Sequence, residues 1–178
     1  MVDIICREHH IQYSLCGGSV VGAHLYKGCL PWDDDIDLMM TRDNYNRFLE
    51  IVPDLLPDGY SIYNYQKGNY LERGITKVVN ENTTVIENNG YILGVYLDIT
   101  VYDKVPTNYL RHIDVFLLKR WWTIMRGKIE GNSIKNLFRN FLLSTILSDR
   151  RRYYIFFQKI VELLGHTNHY TYSELLGA

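Results

Sequence analysis

The sequence predicts an α+β fold, with strands and helices interleaved over residues 1–104 and an α-helical segment over 105–178. Three observations carry this. Over 94–102, Val95, Leu97, Ile99 and Val101 alternate with Tyr96, Asp98, Thr100 and Tyr102, the period-two signature of a strand. From Thr107 on, Leu110, Ile113, Leu117, Trp121 and Ile124 recur at helical spacing, and Ile134, Leu137, Phe138, Phe141 and Ile146 do so again after Gly131. The chain is 178 residues long, 47% hydrophobic and 22% charged, which suits one globular domain with a sizeable core.

Taken in order, 3–10 reads as a short helix with Asp3 as its N-cap and Ile4 and Ile5 in the next turn. A weakly alternating strand over 11–16 stops at the turn Gly17-Gly18-Ser19. A helix then starts at Ser19 and runs to Lys27, with Val20, Val21 and Leu25 as its apolar positions. The loop 28–32 leads to the strand Ile36-Asp37-Leu38-Met39-Met40. Thr41 or Asp43 caps the following helix, whose core face is Tyr45, Phe48, Leu49 and Val52, and Pro53 and Pro57-Asp58-Gly59 end it. A strand follows over 60–65, then a connection over 68–73, another strand or a hairpin over 74–87, and the alternating strand over 94–102. A last helix over 153–164 ends at Gly165. Cations at a helix N-terminus oppose the dipole, so Arg150-Arg151-Arg152 is best accommodated inside a helix that runs unbroken from Ile134.

The charge is unevenly spread. Residues 1–104 hold 8 Lys and Arg against 15 Asp and Glu, and residues 105–178 hold 11 against 5. An acidic first part suits a metal, and a basic second part suits phosphates, an anionic surface or plain solvation. The net charge of −1 predicts no particular partner, and no nucleic-acid partner is expected. Trp121-Trp122 with Lys119, Arg120, Arg126 and Lys128 offers a peripheral membrane contact, against the commoner packing of tryptophans in a core. Cys6, Cys16 and Cys29 lack metal-ligand spacing and are odd in number, so reduced thiols in a cytoplasmic protein are expected. No signal pattern opens the chain, and no apolar run reaches the length of a membrane span.

The chemistry concentrates in Pro31-Trp32-Asp33-Asp34-Asp35-Ile36-Asp37-Leu38. Two like charges about 4 Å apart repel by roughly 4 kcal/mol at a protein surface, an arrangement that a cation reverses. On a strand, residues two apart share a face, so Asp35 and Asp37 point the same way while Ile36 enters the core. Oxygen ligands so placed suit a hard divalent ion. Asp98, in mid-strand between Leu97 and Ile99, needs a partner or a ligand if buried, and completes a group of three if its strand lies beside the acidic one. A helix start after Gly17-Gly18 offers unpaired N–H groups to a phosphate. Lys77, taken alone, reads as an exposed strand lysine.

Leu15-Cys-Gly-Gly-Ser-Val-Val-Gly-Ala, Lys27-Gly, Pro31-Trp-Asp-Asp-Asp-Ile-Asp-Leu and Arg42-Asp-Asn-Tyr-Asn-Arg-Phe-Leu, followed by Ile75-Thr-Lys-Val-Val-Asn-Glu-Asn-Thr-Thr and Tyr96-Leu-Asp-Ile, closely resemble the LicD family of phosphotransferases. That family is related to the fukutin-type proteins. The resemblance covers about residues 1–104 and implies the nucleotidyltransferase fold, a mixed sheet flanked by helices, as a catalytic core. The helical region 105–178 would follow it, and the chain would be a fragment or trimmed relative.

By the same resemblance, the activity is Mg²⁺-dependent transfer of phosphocholine, or a similar phospho-substituent, from CDP-choline or another CDP-linked donor. The acceptor is a sugar of a cell-surface glycan such as teichoic acid, lipopolysaccharide or capsule, reached from the cytoplasm at the inner membrane surface. Asp35, Asp37 and Asp98 would be catalytic and hold Mg²⁺, or Mn²⁺ in its place, with Asp98 also helping to deprotonate the acceptor. Gly17, Gly18 and Ser19 would cradle the donor phosphates, and Lys27 and Lys77 would contact them. The chain departs from the family at Leu25 and Tyr26, where an arginine and a histidine usually precede the lysine. Two rival readings stand beside this one: transfer of a nucleoside monophosphate by the same carboxylates, and a catalytically silent module that binds a nucleotide or glycan.

Overall fold

The computed structural model describes residues 1–64, 75–86, 92–107, 134, 137, 138, 141, 150–164 and 170–174. Helix α1 (Val2–Glu8) leads to the two-residue strand β1 (Ser14–Leu15). Helix α2 (Gly17–Val21) continues as a π-helical turn, Gly22–Tyr26. Strand β2 (Asp37–Thr41) passes directly into α3 (Arg42–Ile51), which closes in a 3-10 turn, Val52–Asp54. Strands β3 (Tyr60–Tyr63), β4 (Thr76–Ile86) and β5 (Ile92–Pro106) follow, and then helix α4 (Arg150–Leu164) and strand β6 (Tyr170–Glu174).

The strands form one sheet in the order β1-β2-β5-β4-β3, with β6 also on β5. β2 and β5 run parallel and every other pair is antiparallel, so the sheet is mixed as expected. Tyr102 pairs with Thr41 across one edge of β5 and with Glu174 across the other. β6 therefore lies on the edge that β4 occupies only as far as Ile99, and prolongs the sheet beyond the end of β4. Residues far apart in the chain thus meet on β5, its central strand.

One face of the sheet carries the core. Leu38 and Met40 of β2, Ile99 of β5, Val78 of β4 and Ile62 of β3 pack with Ile5 and Cys6 of α1 and with Tyr45, Phe48 and Val52 of the α3 segment. This is the face predicted for α3, and Leu49 packs at its margin. The hydroxyls of Tyr45 and Thr76 share a hydrogen bond of 2.5 Å inside it. At the start of α3, Arg42 donates to both oxygens of Asp103, at 2.8 and 2.9 Å, and both residues are buried. A buried guanidinium and carboxylate in this forked geometry satisfy each other and tie α3 to β5.

Several expectations are corrected. Asp3 is not the N-cap of α1, which is Met1; it sits in the first turn, bonded by Arg7 and by the hydroxyl of Tyr13. The strand expected over 11–16 is reduced to Ser14 and Leu15. The next helix starts at Gly17, not Ser19, and its expected apolar positions Val20, Val21 and Leu25 are exposed. Ile36 precedes β2 and is exposed, so the core on that strand begins at Leu38. β5 runs four residues past Tyr102 to Pro106, and β6 lies in a stretch for which only helix was expected. Ile134, Leu137, Phe138 and Phe141 are helical, with exposed side chains. The connection over 68–73 and the stretch from Leu110 to Ile124 with its tryptophans and basic residues lie outside the described residues. So do the join between Ile134 and α4 and the side chains of Arg150, Arg151 and Arg152. No disulfide joins Cys6, Cys16 and Cys29. Among the described residues no helix is long and apolar enough to cross a membrane.

Candidate active site

Strand register builds the site on the sheet face opposite the core. Because Leu38 and Ile99 are paired and point into the core, their neighbours Asp37 and Asp98, also paired, must point the other way. The amide of Asp98 donates to the carbonyl of Ile36 at 2.9 Å, which locks the two strands together at this level. Asp35 lies two residues ahead of Asp37 and turns to the same side. One carboxylate oxygen from each of Asp35, Asp37 and Asp98 falls within 4.8 Å of the others, so the predicted three-residue group exists. Asp33 and Asp34 form a second such group with Asp35.

The glycine turn holds Asp37. Gly17 has φ +54°, and a Cβ placed on it would stand 2.6 Å from Oδ2 of Asp37. A Cβ on Gly18 would collide with the Asp33 carboxylate. The N–H of Gly18 donates to the Asp37 carboxylate. The amide of Asp37 donates to Oγ of Ser19 at 2.8 Å, and its carbonyl accepts from the amide of Cys16 at 3.0 Å. Gly17, Gly18 and Ser19 are therefore at the site, and in this state they grip the first carboxylate strand. Accepting the Asp37 amide leaves the Ser19 hydroxyl its own proton to donate.

Lys77 is where sequence reasoning missed most. It is not an exposed strand lysine, because only 4% of it is exposed. The antiparallel register sets it directly opposite Asp98, and Nζ donates to both carboxylate oxygens, at 2.8 and 3.0 Å. The ring of Tyr96 lies under the same ammonium, 3.3 Å from Nζ to the ring centroid. Tyr96 was not singled out from the sequence. The available signal was its place on the Asp98 side of the β5 alternation. Lys27 is not brought into the group: it occupies a left-handed turn at φ 57°, and its ammonium donates to the carbonyl of His24 at 3.1 Å.

The electrostatics follow from this crowding. Partial burial raises the Asp35 carboxyl to about 6, and the charges of Asp37, Asp98, Asp33 and Asp34 push in the same direction. Asp37 is also raised, by burial and by Asp33, against the opposing pull of Lys77 and the Gly18 N–H. At 4.8 Å and an effective dielectric of 20, each pair of charges repels by about 3–4 kcal/mol. Three hard oxygen donors that resist joint ionisation suit a small divalent cation, and the set fits Mg²⁺ or Mn²⁺ by ligand type.

Residues 10–116 match the model of the LicD/FKTN/FKRP nucleotidyltransferase domain. Lipopolysaccharide cholinephosphotransferase LicD of Haemophilus influenzae is 34% identical over 106 residues, 57% of this chain and 39% of that protein. An uncharacterized protein of Rickettsia prowazekii is 25% identical over 122 residues, 66% of this chain and 42% of its own length. The chain thus spans about two fifths of the length of these curated relatives. No solved structure matches it. With residues 10–116, more than half of the chain, in the matched domain, this chain belongs to the LicD/FKTN/FKRP family.

Proposed function

We propose that this chain is the catalytic core of a phosphotransferase that moves phosphocholine, or a similar phospho-substituent, from a CDP-linked donor to a sugar of a cell-surface glycan. The observation that carries the reading is the convergence of Asp35, Asp37 and Asp98 within 4.8 Å in a member of this family. The named activity of the Haemophilus influenzae relative supports phosphocholine as the group transferred and lipopolysaccharide as acceptor.

Asp35, Asp37 and Asp98 would hold Mg²⁺, which when bound supplies charge neutralisation for the donor's phosphates. The remaining work falls to the chain's own groups. Gly18 and Ser19 hold Asp37 through its carboxylate and its amide, so this ligand enters the site already oriented. Lys77 is poised beside the same cluster and, with its ammonium on Asp98, stands ready to pass to an incoming phosphate oxygen. In this assignment Lys27 serves donor phosphates only by leaving the His24 carbonyl. Attack by the sugar hydroxyl on the phosphocholine phosphorus forms the new O–P bond and releases CMP. The proton of the hydroxyl passes to a carboxylate of the group, with Asp98 assigned to assist.

The test is to incubate the chain with CDP-choline, Mg²⁺ and a glycan acceptor while following CMP, with Asp37→Ala and Asp98→Ala as controls. CMP release that depends on all three components, and that falls at least 100-fold in each variant, supports the reading. Equal release from all three proteins would sink it. Pyrophosphate release from a nucleoside triphosphate would instead favour nucleotidyl transfer, and binding without turnover would favour a silent module.

A further inference from the structure

The segment between the glycine turn and the acidic run carries two aromatic rings that the core does not use. Trp32 is 73% exposed and Tyr26 is 50% exposed. Their rings meet edge to face, with centroids 5.8 Å apart and planes at 86°. Exposed tryptophan forfeits a large burial energy, and tyrosine and tryptophan are enriched at recognition surfaces.

The backbone holds this pair in place. Tyr26 ends the π-helical turn, and Lys27 in its left-handed conformation reverses the chain. Gly28 then donates back to Gly22, and Asp33 donates to the carbonyl of Leu30, which closes the loop that presents Trp32. The approach is close: a Cβ on Gly22 would lie 2.6 Å from the carbonyl oxygen of Gly28. Trp32 is also covalently next to Asp33, the first member of the acidic run and the residue that meets Gly18. Asp33 in turn groups with Asp35, a member of the carboxylate site, so the chain carries the ring pair to within three residues of that site.

The chemistry of the ligand follows from charge. Aromatic faces carry negative quadrupole potential, so the corner favours a cation over an anion. A quaternary ammonium suits such a corner best, because it has no N–H to satisfy and contacts rings through its methyl groups. We propose that Tyr26 and Trp32 form a two-walled subsite for the quaternary-ammonium end of the donor. This assignment rests on the phosphotransferase reading above and names which part of the substrate these residues select.

The test uses phosphocholine and 3,3-dimethylbutyl phosphate, the isostere with an uncharged carbon in place of the quaternary nitrogen, titrated calorimetrically with Mg²⁺ present. The unmodified chain is expected to bind phosphocholine on the order of tenfold more tightly than the isostere. Tyr26→Leu and Trp32→Leu should each shrink that ratio, and the double variant should bring it near one while leaving isostere and Mn²⁺ binding unchanged. A ratio near one in the unmodified chain, an unaltered ratio in the double variant, or failure of the chain to bind phosphocholine would overturn the subsite. Loss of CMP affinity in the variants would reassign the rings to the base. CMP release from CDP-choline is scored separately, so the subsite can fall while the activity stands, and the ratio can hold where turnover is absent.

Discussion

Replacing Lys77 by methionine isolates the role of the buried ion pair. The side chain keeps its length and apolar contacts, while both hydrogen bonds to Asp98 and the contact of the ammonium with Tyr96 disappear. Removing one partner of a buried pair leaves an uncompensated charge and costs about 3–5 kcal/mol. Asp98 also keeps its repulsion from Asp35 and Asp37, about 3–4 kcal/mol per pair at an effective dielectric of 20. A domain of this size loses roughly 2–4 °C of melting temperature per kcal/mol. Melting of Lys77→Met should therefore fall by roughly 10 °C, as followed by circular dichroism without metal. Adding Asp98→Asn should recover much of the loss, because the stranded charge is then gone. A divalent ion would replace the missing cation, so Mg²⁺ or Mn²⁺ should raise the melting temperature more in Lys77→Met than in the unmodified chain, even as turnover falls. A variant that melts within about 2 °C of the unmodified chain, with an unchanged metal-induced shift, refutes this reasoning.

Other outcomes follow from the same geometry. Asp35 has a folded value of about 6 against 3.8 in the unfolded chain, so the folded state keeps a proton that the unfolded state gives up. Metal-free stability should consequently fall as pH rises from about 4 to 6 and then level off. Asp35→Asn should flatten that profile in denaturant titrations and leave the variant no less stable at pH 7.5. Metal affinity measured by calorimetry should weaken as pH drops through about 6, because protons then compete for Asp35. Gly17→Ala places a methyl against Asp37 at φ +54°, a strain of about 1–2 kcal/mol. It should weaken Mn²⁺ binding in titrations while the far-ultraviolet spectrum stays native. Arg42→Met strands the buried Asp103 and should destabilise by about 3–5 kcal/mol in urea unfolding, with Asp103→Asn added in the same chain restoring part of it.

Much of the site was legible because its residues announce themselves locally. Four acids in 33–37 between apolar neighbours cannot all be accounted for by solvation, and the alternation over 94–102 assigns Asp98 to the side away from the aliphatic set. Period-three-to-four spacing similarly marked Tyr45, Phe48 and Val52 as the core side of α3. Local pattern was less informative around the glycine turn. Val20, Val21 and Leu25 have helical spacing, but no element of the sheet core covers them.

Residue type and spacing determined that this chain has an acidic strand, a second strand with one carboxylate, and a glycine turn between two apolar segments, the stretches by which it resembles its family. Pairing across the sheet was decided only by the fold, since which strands neighbour each other is a long-range choice made by burial of the whole core. That choice put Asp98 level with Asp37 and buried Lys77 against it, turning an apparently solvated lysine into the counter-ion of the site. It also returned β6 to the edge of β5 and packed α4 on the same strand, where the sequence showed only helical periodicity. A single residue's neighbours along the chain are fixed by covalent bonds, whereas its neighbours across a sheet depend on every strand at once.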